Sequence, residues 1–158
     1  MTTGTISRRL LLSGVALAVV SRALPGRAAS SPYRMTLYRD PNCACCLDWV
    51  AVVEKTFVVE IVTSRPLAEV NKQLDVPYDL WSCHTAVIDK YIIEGHVPPA
   101  DIERLLRERP ANVRGLSVPG MPIGAPGMES PDGRADPYTV LAFRTDGELR
   151  TWSRYNGA

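Results

Sequence analysis

Met35-Thr36-Leu37-Tyr38-Arg39-Asp40-Pro41-Asn42-Cys43-Ala44-Cys45-Cys46-Leu47-Asp48-Trp49-Val50 carries a strand directly into a helix, with three of the chain's four cysteines at the junction. Over Tyr33 to Arg39 the apolar Met35 and Leu37 alternate with their neighbours, the period-two pattern of a strand. Asn42 is placed to cap a helix starting near Cys43 or Ala44, and Leu47, Val50, Ala51 and Val53 follow helical spacing. Phe57 to Val62 is β-branched and nearly all apolar, which predicts a second strand covered on both faces. Ser64 and Pro66 open a second helix with Leu67, Val70 and Leu74 on one side.

The second half continues the alternation. Thr85 to Ile88 and Tyr91 to Glu94 read as two strands joined at Asp89-Lys90, although a tight turn favours Gly where Lys90 stands. Pro98-Pro99 opens a third helix with Ile102, Leu105 and Leu106 inward, ended by Pro110. From Gly115 to Asp136 the chain is rich in Gly and Pro, and a long irregular connection is more often functional than neutral. Tyr138 to Arg144 and Glu148 to Tyr155 form a closing hairpin around Thr145-Asp146-Gly147. The expected class is α/β, in the thioredoxin-like order βαβ-ββα, with a Gly/Pro-rich loop and a C-terminal β-hairpin.

That order has a chemical consequence. The right-handed crossover makes the first two strands parallel, and in this fold the third strand runs against the first and the fourth reverses again. The end of strand one, the start of strand three and the end of strand four then share one edge of the sheet. Those positions hold Cys43, Cys45 and Cys46, then Cys83-His84, then His96, which are all the cysteines and histidines of the chain. Thiolate and imidazole together suit copper or zinc better than hard cations. The helix after strand one favours thiolate over thiol at Cys43.

Other readings of the same residues stay open. Cys43 and Cys46 have the C-x-x-C spacing of a redox pair, so a thiol–disulfide oxidoreductase is the direct rival, and structural disulfides are the plain alternative. Cys45 favours metal, because a two-sulfur switch has no use for a third sulfur next door and adjacent Cys45 and Cys46 pair poorly. Neighbouring residues on a strand face opposite sides, so one of His84 and His96 is expected to orient a sulfur instead of binding an ion. Met121 and Met128 offer thioethers from the loop, with hydrophobic filling as their ordinary role. Trp49 and Trp81 are assigned to packing alone.

Four blocks resemble the CopG-like copper-resistance proteins, a family long catalogued as a domain of unknown function with predicted metal binding. They are Cys43-Ala44-Cys45-Cys46 with Trp49, then Cys83-His84-Thr85-Ala86, then Glu94-Gly95-His96-Val97-Pro98, and finally Gly115 to Pro122 with Gly127-Met128-Glu129. The likeness covers about Met35 to Tyr155 and departs from the family pattern at Lys90, in a turn. It implies a periplasmic thioredoxin-like domain whose cysteines bridge several copper ions, with a role in Cu(I)/Cu(II) interconversion during copper resistance.

The N-terminus reads as an export signal over residues 1–29, with residues 30–158 as the metal-binding domain. Arg8-Arg9, an apolar run from Leu10 to Val20 and small residues around Ala28-Ala29 give the order of a signal peptide, and Ser7-Arg8-Arg9-Leu10 resembles a twin-arginine signal. The run is shorter than the roughly 20 apolar residues that a membrane span needs. Cleavage takes four of the 18 basic residues and none of the 17 acidic ones, leaving 14 against 17 and a net charge of −3. No basic patch for nucleic acid remains, no membrane span is expected in the mature chain, and the expected location is the periplasm. The expectation is a copper-binding protein that holds one or more Cu(I) ions through Cys43, Cys45, Cys46 and Cys83 with His84 or His96. A redox or copper-transfer partner protein belongs to this expectation, and a copper chaperone is its third variant.

Overall fold

The computed structural model describes residues 1–2 and 33–158, so the export signal expected at residues 1–29 lies outside the described residues apart from its first two. Ten regular elements follow: β1 (Arg34–Arg39), α1 (Ala44–Val53), β2 (Val58–Val62), α2 (Leu67–Gln73), β3 (His84–Ile88), β4 (Tyr91–Glu94), α3 (Pro99–Glu108), β5 (Val113–Ser117), β6 (Tyr138–Arg144) and β7 (Leu149–Tyr155). One 3-10 turn, Tyr78–Leu80, precedes β3. The strands form one seven-stranded mixed sheet in the order β2-β1-β3-β4-β5-β6-β7. β1 is parallel to β2 and antiparallel to β3, β3 is antiparallel to β4, and β4 is parallel to β5.

α1 and α3 lie on one face of the sheet. Cys46, Trp49, Val50 and Val53 form the buried stripe of α1, and Ile102, Leu105 and Leu106 that of α3. They meet Met35, Leu37, Ala86, Ile88, Ile93 and Leu116 in the main core. A smaller cluster on the opposite face joins Val76, Leu80, Ile92 and Phe143. α3 has Pro99 in its first turn, where the missing N–H costs nothing, and ends at Arg109 in the left-handed conformation (φ 49°) just before Pro110.

The structure corrects four sequence expectations. Leu47 is 46% exposed, because the spacing that matters on α1 runs through Cys46 and Trp49. Asn42 does not cap α1: Cys43 holds that position without a side-chain bond, while the Asn42 N–H donates to Asp40 Oδ1. β2 is an edge strand with three of its five residues exposed, so it is not covered on both faces. The segment starting at Gly115 is not all loop, since Val113–Ser117 forms β5 beside β4. A Cβ at Gly115 would stand 2.0 Å from the Ile92 carbonyl oxygen, so this glycine is there to let two strands approach. In sequence it looks like loop punctuation.

Candidate metal centre

The antiparallel register sets Arg39 opposite His84 and Thr85 opposite Glu94. The C-terminal ends of β1 and β4 and the start of β3 therefore share one rim. The buried guanidinium of Arg39 shapes the turn into α1: its Nη1 donates to the carbonyls of Asp40 (2.7 Å), Pro41 (3.3 Å) and Cys43 (2.8 Å). Cys46 lies one turn beyond Cys43 on the inward face of the helix, and the two are joined as a disulfide, leaving Cys45 and Cys83 as free thiols.

All six sequence-predicted residues converge. One ligand atom each from Cys43, Cys45, Cys46 and Cys83 lie within 4.8 Å of one another, and so do those of Cys83, His84 and His96. Cys83 belongs to both groups. Its Sγ is 3.9 Å from Cys45 Sγ, 3.3 Å from His84 Nδ1 and 3.3 Å from His96 Nε2. The alternation argument against neighbouring ligands does not apply to Cys83 and His84, because Cys83 stands one residue ahead of the ladder.

Electrostatics at the rim favours neutral imidazoles. Burial lowers the His84 pKa to about 3, reinforced by His96. The Gly95 backbone opposes that fall but does not reach hydrogen-bond geometry, and His84 Nε2 is buried with no hydrogen-bond partner. Burial also lowers His96, whose Nδ1 lies 2.8 Å from the Pro126 carbonyl oxygen. A carbonyl only accepts, so Nδ1 carries the proton and Nε2 offers a lone pair toward Cys83. Burial, then the neighbouring Cys45, pushes the Cys83 thiol up to about 12.

A buried carboxyl holds the segment carrying Cys83. Glu94 Oε1 accepts from the Ser82 N–H at 2.6 Å, and Glu94 Oε2 lies 2.6 Å from Thr85 Oγ1, which is also 2.5 Å from Asn71 Oδ1. One hydroxyl proton cannot serve both oxygens. The arrangement is satisfied when Glu94 carries a proton donated to Thr85 and Thr85 donates to Asn71, in keeping with a Glu94 pKa raised by burial to about 7.

The Gly/Pro segment lies against the site. A Cβ on Gly127 would come within 2.4 Å of the Trp49 backbone nitrogen, and the preceding carbonyl is the one that orients His96. A cleft of about 450 Å³ opens beside Cys45, lined also by Asp48, Met128 and Glu129. Met128 thus borders the cleft while packing on the core, whereas Met121 is 42% exposed. Sequence reasoning missed Arg39, Glu94 and Pro126, and gave Trp49 packing alone. Its ring lies 4.5 Å from that of His84, and its indole N–H donates to the Val97 carbonyl (3.0 Å). Glu94 could have been found from its place beside Gly95-His96, but a backbone carbonyl such as that of Pro126 leaves no mark on residue type.

Residues 80–128 match the family model described as a protein of unknown function, DUF411. A solved structure described as "Copper resistance protein copG- Form 2" is 41% identical with a TM-score of 0.74, covering 79% of this chain and 99% of that one. A second, "Copper resistance protein copG- Form 1", is also 41% identical, with a TM-score of 0.72 and coverage of 77% and 96%. None of the curated proteins matches the chain.

Proposed function

This chain belongs to the CopG copper-resistance family, and from that premise we propose that it binds copper as Cu(I) at the rim formed by Cys43, Cys45, Cys46, Cys83, His84 and His96. The observation that carries the reading is Cys83 Sγ, shared between a four-sulfur group and a Cys/His₂ group. Soft thiolates select Cu(I), and one sulfur can bridge two such ions. Reduction of the Cys43–Cys46 disulfide completes the all-sulfur group, so a multinuclear site requires reduced protein. The imidazole nitrogens also suit Cu(II), which supports Cu(I)/Cu(II) interconversion as the chemistry behind resistance. The cleft at Cys45, with Asp48 and Glu129 on its walls, supports entry of a cation from solvent.

The order β2-β1-β3-β4 with antiparallel β3 supports the thioredoxin-like reading of the first half of the sheet. The export motif at residues 1–29 supports a periplasmic location, and no helix among the described residues is long and apolar enough to cross a membrane. The test is copper content of reduced protein loaded with Cu(I), with X-ray absorption to identify the donors. Cys83→Ser is expected to lower the copper-to-protein ratio more than Cys45→Ser, since Cys83 serves both groups. Equal ratios for both variants and the parent would remove the copper reading.

The Cys43–Cys46 disulfide favours a second reading, a thiol–disulfide oxidoreductase. It requires turnover of a disulfide substrate by metal-free protein, with Cys45→Ser as active as the parent.

A further inference from the structure

With Cys43 and Cys46 joined, the two remaining thiols continue a chain of sulfurs. Cys45 Sγ is 3.5 Å from Cys43 Sγ and 3.9 Å from Cys83 Sγ. These are near contact distances, and a thiolate at contact with a disulfide sulfur is the starting arrangement for exchange. We propose that the oxidised, metal-free protein moves its disulfide along this chain, from Cys43–Cys46 to a second position, Cys45–Cys83.

Two exchanges carry the bond across. In the first, the Cys45 thiolate attacks Cys43 Sγ, the Cys43–Cys46 bond breaks, and Cys46 leaves with the electron pair. Cys46 takes up a proton from water, replacing the one that Cys45 released, and its S–H has an acceptor in place, the Cys83 carbonyl oxygen at 3.3 Å. In the second, Cys83 gives up its proton to water and attacks Cys45 Sγ. The Cys43–Cys45 bond breaks, and Cys43 leaves as a thiolate that is protonated in turn. Each step makes one S–S bond and breaks one. Two thiols are present throughout, so no oxidant or reductant is consumed.

The end points differ in what they tie together. Cys43–Cys46 closes one turn of chain, whereas Cys45–Cys83 links α1 to the residue ahead of β3 and leaves the C-x-x-C pair as free thiols at the helix start. Oxidation of one pair of sulfurs therefore does not take Cys43 and Cys46 out of use. The relay depends on Cys45, the sulfur that a two-cysteine switch lacks, and holds whether or not the site takes copper.

Trypsin separates residues 40–55, with Cys43, Cys45 and Cys46, from residues 73–90, with Cys83. Full-length protein with one disulfide and two thiols is incubated with a chelator at pH 7.5, its free thiols are blocked under acid conditions, and the unreduced digest is weighed by mass spectrometry. The expected result is a covalently linked 40–55/73–90 pair that grows as the internally bridged 40–55 peptide declines, with the thiol count constant at two. Cys45→Ser and Cys83→Ser, each checked for native circular dichroism, should lack the linked pair. Parent protein that yields only the internally bridged peptide overturns the proposal. So does a linked pair of undiminished yield in Cys45→Ser.

Discussion

Replacing Glu94 by Gln removes a titratable group from the network behind Cys83 while keeping its hydrogen bonds. The Gln amide donates to Thr85 Oγ1 where the protonated carboxyl does, and its carbonyl accepts from the Ser82 N–H. Glu94 is fully buried, and its pKa is raised from 4.5 to about 7. An acid with a raised native pKa holds its proton to higher pH folded than unfolded, so its contribution to stability is complete below pH 4.5 and is lost as pH climbs through 7. At about 1.4 kcal/mol per pH unit, that loss is about 3 kcal/mol. His84 works in the other direction, since its lowered pKa withdraws stability as pH falls below 6.5 toward 3. His84 is present in both proteins, so its effect cancels in the difference between them. The assay is urea unfolding of metal-free protein, kept reduced with a phosphine, at pH 4.5, 6 and 8. The variant should gain about 3 kcal/mol on the parent between the first and last pH. A difference that stays flat across that range refutes a protonated Glu94 in the folded state.

Two further outcomes follow from packing. Gly115→Ala puts a methyl group 2.0 Å from the Ile92 carbonyl, and the strand separation this forces should cost about 3 kcal/mol in denaturant unfolding; a cost under about 1 kcal/mol would mean that β4 and β5 are not paired this closely. Trp49→Phe removes the indole N–H bond to Val97 but retains an aromatic ring against His84. It should cost about 1–3 kcal/mol, because the Val97 carbonyl is left without that donor, as read from the shift in urea midpoint.

Much of the site was legible because it follows from strand direction. Once Met35 and Leu37 mark a strand entering a helix and two further strands follow, chain handedness brings Cys43, Cys83 and His96 to one rim whatever the details between. What stayed hidden depends on neighbours that residue type does not encode. Phe57 to Val62 has the composition of a central strand, yet β2 lies at the margin and Val58 and Ile61 face out. Gly115 suggests a turn, and only the close approach of Ile92 reveals why a strand keeps it. Strand alternation sets Cys83 and His84 on opposite faces, but the ladder starts at His84 and leaves Cys83 free of that rule. The hydrogen bond from His96 to Pro126 joins two segments 30 residues apart, and no spacing rule anticipates it.

The main core of Trp49, Leu37, Ile93, Leu116 and their neighbours is built from apolar side chains, and of the four rim cysteines only Cys46 is fully buried. In small metal-dependent domains, ion binding and folding are one transition. Here, on the proposed copper reading, an ion at the rim adds to a core that apolar side chains already build. On that reading, a partner that must tell a loaded molecule from an empty one finds little of the difference in this core. It has to sense the rim itself, by touching the sulfurs or the loop that rests on His96.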